Sequence, residues 1–89
     1  MPNPIPTLKV RVLSPRQIIF EDEALSVSSK NSLGIFDILP LHANFITLIE
    51  NNVIRIQKKD KSVTTIDVPF AILYQINNQV NIYTDLQFK

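Results

Sequence analysis

The sequence predicts an all-β fold, a small antiparallel β-sandwich or flattened barrel of about nine to ten strands. The first observation is that short segments rich in Val, Ile, Thr, Tyr and Phe recur at intervals of roughly eight to ten residues, separated by turn residues. The second is that no stretch shows the apolar period of an amphipathic helix. Because strands do not alternate with helical patterns, a parallel βαβ architecture is not expected.

The individual strands are delimited by residues typical of turns. In the first segment, LKVRVL, the apolar side chains alternate with Lys9 and Arg11, as expected for a strand with one buried face. The following strand segments are QIIFE, ALSVSS, FITLIE, VIRIQK, SVTTIDV, FAILYQI and QVNIYTD. Breaks between them are predicted at residues 14–16, 21–23, 30–32, 51–52, 59–61, 69 and 77–78.

Length and charge narrow the class of protein. The 89 residues correspond to one domain, which we divide into an extended proline-rich leader (1–7), a β-sandwich domain (8–85) and a tail (86–89). The net charge of +1 is spread along the chain and gives no basic stripe for nucleic acid. No run of eighteen apolar residues and no secretory signal pattern is present, so direct membrane insertion is not expected.

The most distinctive segment is GIFDILPLHANF, residues 34–45, which contains the only glycine and the only histidine. Pro40 fixes its own φ and keeps the residue before it extended, which indicates an irregular loop at a sheet edge. The segment has too many apolar side chains for a free loop. We therefore assign Phe36, Ile38 and Leu39 to the core and interpret the rest as an exposed docking edge.

No catalytic, cofactor-binding or metal-ligating site is predicted. Catalysis requires converging titratable groups, and the chain offers only His42 and the acidic run at 21–23, which we interpret as an exposed turn. Cysteine is absent, and so are the phosphate-loop, GxSxG and HExxH motifs. His42 is interpreted as a structural or interfacial residue; a catalytic base and a pH-sensitive contact remain the alternatives.

The segment GIFDILPLHANFITLIENNVIRI resembles a stretch of the F-type ATP synthase epsilon subunit that reads Gly-x-Phe/Leu-Gly-Ile-Leu-Pro-Gly-His-Ala-Pro. The matching positions are Gly34, Phe36, Ile38, Leu39, Pro40, His42, Ala43, Thr47 and Ile54 to Ile56. Upstream, VLSPRQIIFE resembles the family's opening strands, and FAILYQINNQVNIYTD resembles its closing ones. The resemblance runs from Leu8 to Asp85 and implies the fold of that subunit's N-terminal β-sandwich domain.

The sequence departs from the family pattern mainly at glycines. The family prefers Gly at the positions of Asp37, Leu41, Asn52, Phe70, Ala71 and Asn78, and Pro at that of Asn44. Asn52 and Asn78 are expected to supply positive φ in their turns, whereas Leu41 and Asp37 predict a reshaped loop. Many family members continue into a two-helix C-terminal domain, which we expect this chain to lack.

The resemblance implies a central-stalk (rotor) subunit that docks on the gamma subunit and the c-ring and couples ion-driven rotation to ATP synthesis. It implies no catalysis and no cofactor, and a peripheral place in a heteromeric complex on the cytoplasmic side of the bacterial inner membrane. Carried over by position, the ring-facing edge consists of Ser32, Ile35, Leu41, His42 and Asn44. Ser14 and Pro15 are candidates for the gamma subunit. The alternative is a free-standing β-sandwich module that binds a ligand or protein.

Overall fold

The computed structural model describes residues 6–85 as six strands and, within this range, no helix. The strands are β1 (Leu8–Leu13), β2 (Ile18–Asn31), β3 (Gly34–Ile38), β4 (Phe45–Lys58), β5 (Val63–Ile76) and β6 (Gln79–Thr84). The all-β class is confirmed. Only the end of the predicted leader falls within the described residues, and the predicted tail lies outside them. No helix capable of crossing a membrane is found between residues 6 and 85.

The strands form one sheet in the order β1-β6-β5-β4-β2-β3, which closes on itself because β1 also pairs with β2. The pairings are antiparallel except for β1 with β6, which is parallel. This parallel pair was not predicted. It joins the first and the last of the described strands, which are far apart in the sequence, as a parallel pair requires because a short hairpin cannot connect parallel strands.

The three longest strands, β2, β4 and β5, each have fourteen residues and each run through both layers of a sandwich. The first layer contains β1, β6 and residues 18–24, 45–50 and 70–76. The second layer contains β3 and residues 24–31, 52–58 and 63–68. The strand pairing defines this division. In the β4–β5 ladder, residues 45–50 pair with residues 70–75 in the first layer, and residues 52–57 pair with residues 63–68 in the second.

The strands β2, β4 and β5 each bend at a corner where they pass from one layer to the other, and these corners account for the difference between predicted and observed strand boundaries. Counting β2, β4 and β5 once in each layer gives nine strand segments, in agreement with the predicted number. The predicted breaks at 21–23, 51–52 and Pro69, however, lie inside continuous strands. The β4–β5 ladder skips Asn51 and Pro69, where Asn51 has a φ of 50° and proline has no N–H to donate. The expected positive φ at Asn52 was therefore wrong by one residue.

The core lies between the two layers and is built from the inward-facing side chains of every strand. Its buried members are Leu8, Val10, Val12, Ala24, Val27, Ile38, Ile49, Ile54, Ile56, Val68, Ala71, Leu73, Val80 and Ile82. As predicted, Ile38 is buried and Phe36 packs against the core. The prediction for Leu39 was wrong: its side chain is 55% exposed, because the residue already belongs to the loop after β3.

Candidate docking surfaces

The loop between β3 and β4, residues 39–44, is called the His42 loop here. The N–H of His42 donates to the carbonyl oxygen of Leu39 over 3.1 Å and closes a turn. Within this turn Leu41 has a φ of 68°, in the left-handed region, and its side chain is 80% exposed. His42 and Asn44 are exposed as well. Three of the five predicted ring-facing residues thus share one loop.

Side chains from the β5–β6 hairpin hold this loop. The N–H of Leu41 donates to Asn78 Oδ1 over 2.7 Å, and Gln75 Nε2 donates to the carbonyl oxygen of His42 over 3.1 Å. Gln75 is fully buried, and its Oε1 has no hydrogen-bond partner among the described residues. The loop backbone is therefore anchored at two successive residues.

The His42 side chain is held by local contacts. Its ring Nδ1 lies 2.7 Å from the carbonyl oxygen of Ala43, and because that oxygen can only accept, the contact requires the proton on Nδ1. The imidazole also packs edgewise against Phe45, with ring centroids 5.9 Å apart. No acid–base partner of the kind a catalytic histidine uses is among these contacts.

The other two predicted ring-facing residues, Ser32 and Ile35, lie at the opposite end of β3. The five residues of that strand span about 13 Å. Asn31 ties the β2–β3 turn to β4, since its Nδ2 donates to Thr47 Oγ1 over 3.0 Å. Ile35 is 81% exposed, and Ser32 lines a cleft of about 250 Å³ with neighbours that include Leu48.

Glycine at position 34 is required by the backbone of this turn rather than by space. Gly34 has a φ of 129°, and a Cβ added there would meet no atom within 4 Å. Residues other than glycine rarely adopt that backbone conformation. The turn that presents Ser32 and Ile35 consequently depends on the chain's only glycine.

A second surface lies on the outer side of the first layer, where apolar side chains of β4, β5 and β6 face solvent. Cross-strand pairing brings Ile46 opposite Tyr74 and Leu48 opposite Ile72. The rings of Tyr74 and Tyr83 pack edge to face, with centroids 5.8 Å apart. We call this surface the outer apolar face, and it comprises Ile46, Leu48, Phe70, Ile72, Tyr74, Ile76 and Tyr83.

Ser14 and Pro15, the predicted gamma-facing residues, lie in the turn between β1 and β2. The N–H of Ser14 donates to the carbonyl oxygen of Gln17 over 2.9 Å, and the N–H of Gln17 donates back to Ser14 Oγ over 3.2 Å. The polar groups of Ser14 are thus engaged within the turn itself. Since Leu13 pairs with Tyr83, this turn begins one residue beyond the margin of the outer apolar face.

The residues of the outer apolar face were not predicted, although the sequence contains a signal for them. The segments FITLI and FAILYQI carry apolar residues at nearly every position rather than at alternate ones. A strand that is apolar on both faces is typical of one that is covered on both sides. The loss of alternation in these two strands is therefore the sequence signal for a covered outer face.

Electrostatics add no catalytic constellation to either surface. The pKa of Asp60 is lowered because the hydroxyl and the N–H of Ser62 both donate to its carboxylate. This carboxylate belongs to the β4–β5 turn, outside the His42 loop and the outer apolar face. Between residues 6 and 85, no group of three His, Cys, Asp or Glu side chains could hold a metal ion.

Comparison with known families gives one consistent match. The chain matches the family described as "ATP synthase, Delta/Epsilon chain, beta-sandwich domain" over residues 7–87. A protein named ATP synthase epsilon chain from Sulfurimonas denitrificans is 39% identical over 66 residues, covering 74% of this chain and 51% of that protein. One of the same name from Leptospira borgpetersenii is 35% identical over 78 residues, covering 88% and 61%. The chain spans about half the length of the first of these relatives.

Solved structures share the fold at low sequence identity. A chain in the Euglena gracilis mitochondrial ATP synthase, described as OSCP/F1/c-ring in rotational state 1, superposes with a TM-score of 0.82 at 10% identity, covering 92% of this chain and 53% of that one. A chain in the Tetrahymena thermophila mitochondrial ATP synthase central stalk and c-ring gives 0.70 at 12% identity, covering 92% and 66%. These likenesses establish the two-layer architecture.

Proposed function

Because this chain belongs to the ATP synthase Delta/Epsilon chain family through its β-sandwich domain, we propose that it is a central-stalk (rotor) subunit of an F-type ATP synthase. It docks on the gamma subunit and on the c-ring, and it couples transmembrane ion-driven rotation to ATP synthesis without catalysis of its own. It lies on the cytoplasmic side of the bacterial inner membrane and is attached peripherally through the complex.

The outer apolar face is the observation that carries this proposal. Its side chains contribute nothing to the core between the layers, yet several remain roughly half exposed, among them Leu48 at 50% and Tyr83 at 48%. Removing apolar area from water is favourable by about 25 cal/mol per Å², and this gain opposes the entropy that association loses. A contiguous apolar surface on a small domain marks a partner site. We assign this face, with Ser14 and Pro15 at its margin, to the gamma subunit.

The ring-facing surface consists of the His42 loop and the β2–β3 turn, at the two ends of β3. Leu41, His42 and Asn44 lie in the loop, and Ser32 and Ile35 belong to the turn and the start of β3. The closed sheet supports both elements. Backbone ladders and a packed core have few alternative arrangements, so a load applied at one surface is transmitted to the other with little internal deformation.

A pair of matched substitutions tests the gamma assignment. Leu48→Glu places a charge on the outer apolar face, whereas Val63→Glu places one on the outer side of the second layer at a similarly exposed residue, 55% against 50%. Burying an unpaired carboxylate in an interface is strongly unfavourable. Leu48→Glu is expected to weaken binding to the purified cognate gamma subunit by at least about tenfold in calorimetry, and Val63→Glu to leave it unchanged.

The control decides how a negative result is interpreted. Circular dichroism of both variants establishes that each retains the sheet. If Leu48→Glu binds gamma as tightly as the unsubstituted chain, or if both variants lose binding to the same extent, the outer apolar face is not the gamma surface. If the unsubstituted chain itself forms no complex with gamma, the rotor function is wrong for this chain.

A further inference from the structure

The His42 loop and the β5–β6 turn contain non-glycine residues in the left-handed backbone region. Leu41 has a φ of 68° and Asn78 a φ of 62°. Asparagine visits this region readily, but leucine seldom does, because its Cβ approaches a carbonyl oxygen. A leucine held there requires a contact that compensates for the strain.

The compensating contact comes from Asn78. Its Oδ1 accepts the N–H of Leu41 over 2.7 Å, across a sequence separation of 37 residues. The backbone of Asn78 is itself fixed, since its carbonyl oxygen accepts the N–H of Lys9 over 2.8 Å. The Asn78 side chain, which lies outside the loop, thereby connects Leu41 to the first layer.

We propose that Asn78 is a positioning residue that holds Leu41 in the left-handed conformation and so directs the exposed Leu41 side chain toward the c-ring. The proposal rests on the ring-docking part of the proposed function. It also defines the chemistry of the contact. A leucine side chain that is 80% exposed at the tip of an anchored loop fits an apolar recess rather than a charged surface on the partner.

Gln75 supports the same geometry from inside the sandwich. Its Nε2 donates to the carbonyl oxygen of His42, so two successive loop residues are held by the β5–β6 hairpin. A contact loop that is already fixed before binding loses less conformational entropy when the complex forms. The hairpin therefore acts on docking through the loop.

Three substitutions isolate the Asn78 side chain. Asn78→Gly keeps the positive φ and removes the acceptor, whereas Asn78→Asp keeps an acceptor oxygen and serves as the conservative rescue. Asn77→Gly is the matched control, because Asn77 also has a positive φ, 49°, in the same turn, but makes no side-chain hydrogen bond to the described part of the loop. We expect Asn78→Gly to accelerate amide hydrogen exchange at Leu41 by roughly five- to tenfold and the other two to change it little.

Leu41→Gly provides an independent test of the strain. Glycine adopts a φ near 70° without penalty, so the acceptor matters less once leucine is replaced. We expect Asn78→Gly to lower the thermal midpoint in the Leu41 background and to lower it less in the Leu41→Gly background. Equal effects in both backgrounds would overturn the proposed coupling between the two residues.

Docking of these variants to cognate gamma–c-ring complexes completes the test. We expect Asn78→Gly to weaken ring docking while binding to isolated gamma is unchanged, and Asn78→Asp to restore docking. If amide exchange at Leu41 is no faster in Asn78→Gly than in Asn77→Gly, the proposal is overturned. Unchanged ring docking despite faster exchange would overturn it as well. Suppose that the unsubstituted chain does not dock on the ring but that Asn78→Gly accelerates exchange at Leu41 as expected. The ring-docking function then fails, and the backbone role of Asn78 stands.

Discussion

The outer sides of the two layers differ in composition although both face away from the same core. On the first layer, β4, β5 and β6 present a contiguous set of apolar side chains, with Ile46 beside Tyr74 and Leu48 beside Ile72. On the second layer, the outward residues are mostly polar: Ser26, Ser28, Lys30, Asp37, Arg55, Gln57, Thr65 and Asp67, with Ile35, Val53 and Val63 among them.

Folding alone does not require this difference. The core between the layers is complete with inward-facing side chains, and an antiparallel sheet is stable with one solvated polar face. The second layer follows that ordinary pattern. The first departs from it over the same strands, β4 and β5, that follow it on the other side of the corner at Asn51 and Pro69. Folding therefore does not account for the apolar outer side of the first layer, whereas the proposed docking on a partner would.

The largest expected effect separates the two sides of a single strand. Ile49 is fully buried and Leu48 next to it is half exposed on the outer apolar face. Ile49→Ala leaves a cavity in the core and should lower the free energy of unfolding by about 2–5 kcal/mol. Leu48→Ala removes only cross-strand contact and should cost less than about 1 kcal/mol. Urea denaturation of the isolated chain measures both.

Comparable losses at the two positions would contradict this comparison. In that case the outer apolar face would contribute to folding, and its composition would no longer indicate a partner. Val53→Ala, on the outer side of the second layer in the same strand, is the control and is expected to change stability as little as Leu48→Ala.

The same corners show which parts of the fold the sequence could predict. Strand segments and turns depend on local residues, so eight of the nine segments and the turn at Asn77–Asn78, with positive φ at both residues, were predictable. The ninth, β3 (Gly34–Ile38), was not, because its residues were interpreted as part of a docking edge. Whether Asn51 and Pro69 end a strand or bend it depends on the partner strand, which follows the same corner. The parallel pairing of β1 with β6 depends on closure of the whole sheet. Such long-range features leave little local trace.

The docking surfaces were predictable only in part. The irregular, exposed loop that contains Leu41, His42 and Asn44 was predictable, because Pro40 already indicated it. The anchoring by Asn78 and Gln75 was not predictable, since it joins residues more than 30 positions apart. That these surfaces contact the c-ring and gamma is our proposal.

An intermediate effect concerns how salt acts on gamma binding. If the outer apolar face dominates the interface, the affinity should change less than about threefold between roughly 0.05 and 0.5 M sodium chloride, because apolar burial is not screened by ions. Calorimetric titration at several salt concentrations measures this. A loss of about tenfold or more would show that the charged outer residues of β1 and β2, such as Arg11 and Glu21, carry the contact instead.

The smallest expected effect lies on that charged part of the first layer. Arg11 Nε and Glu21 Oε2 are 2.8 Å apart, with side chains 46% and 56% exposed. Because water and salt screen an exposed pair, a double-mutant cycle with Arg11→Ala and Glu21→Ala should give a coupling of only about 0.2–1 kcal/mol, vanishing at high salt. The same variants delimit the gamma surface. If gamma binding is unchanged, the gamma surface ends at β6. If Arg11→Ala weakens binding tenfold, the gamma surface extends across β1, and the outer apolar face is only its central part.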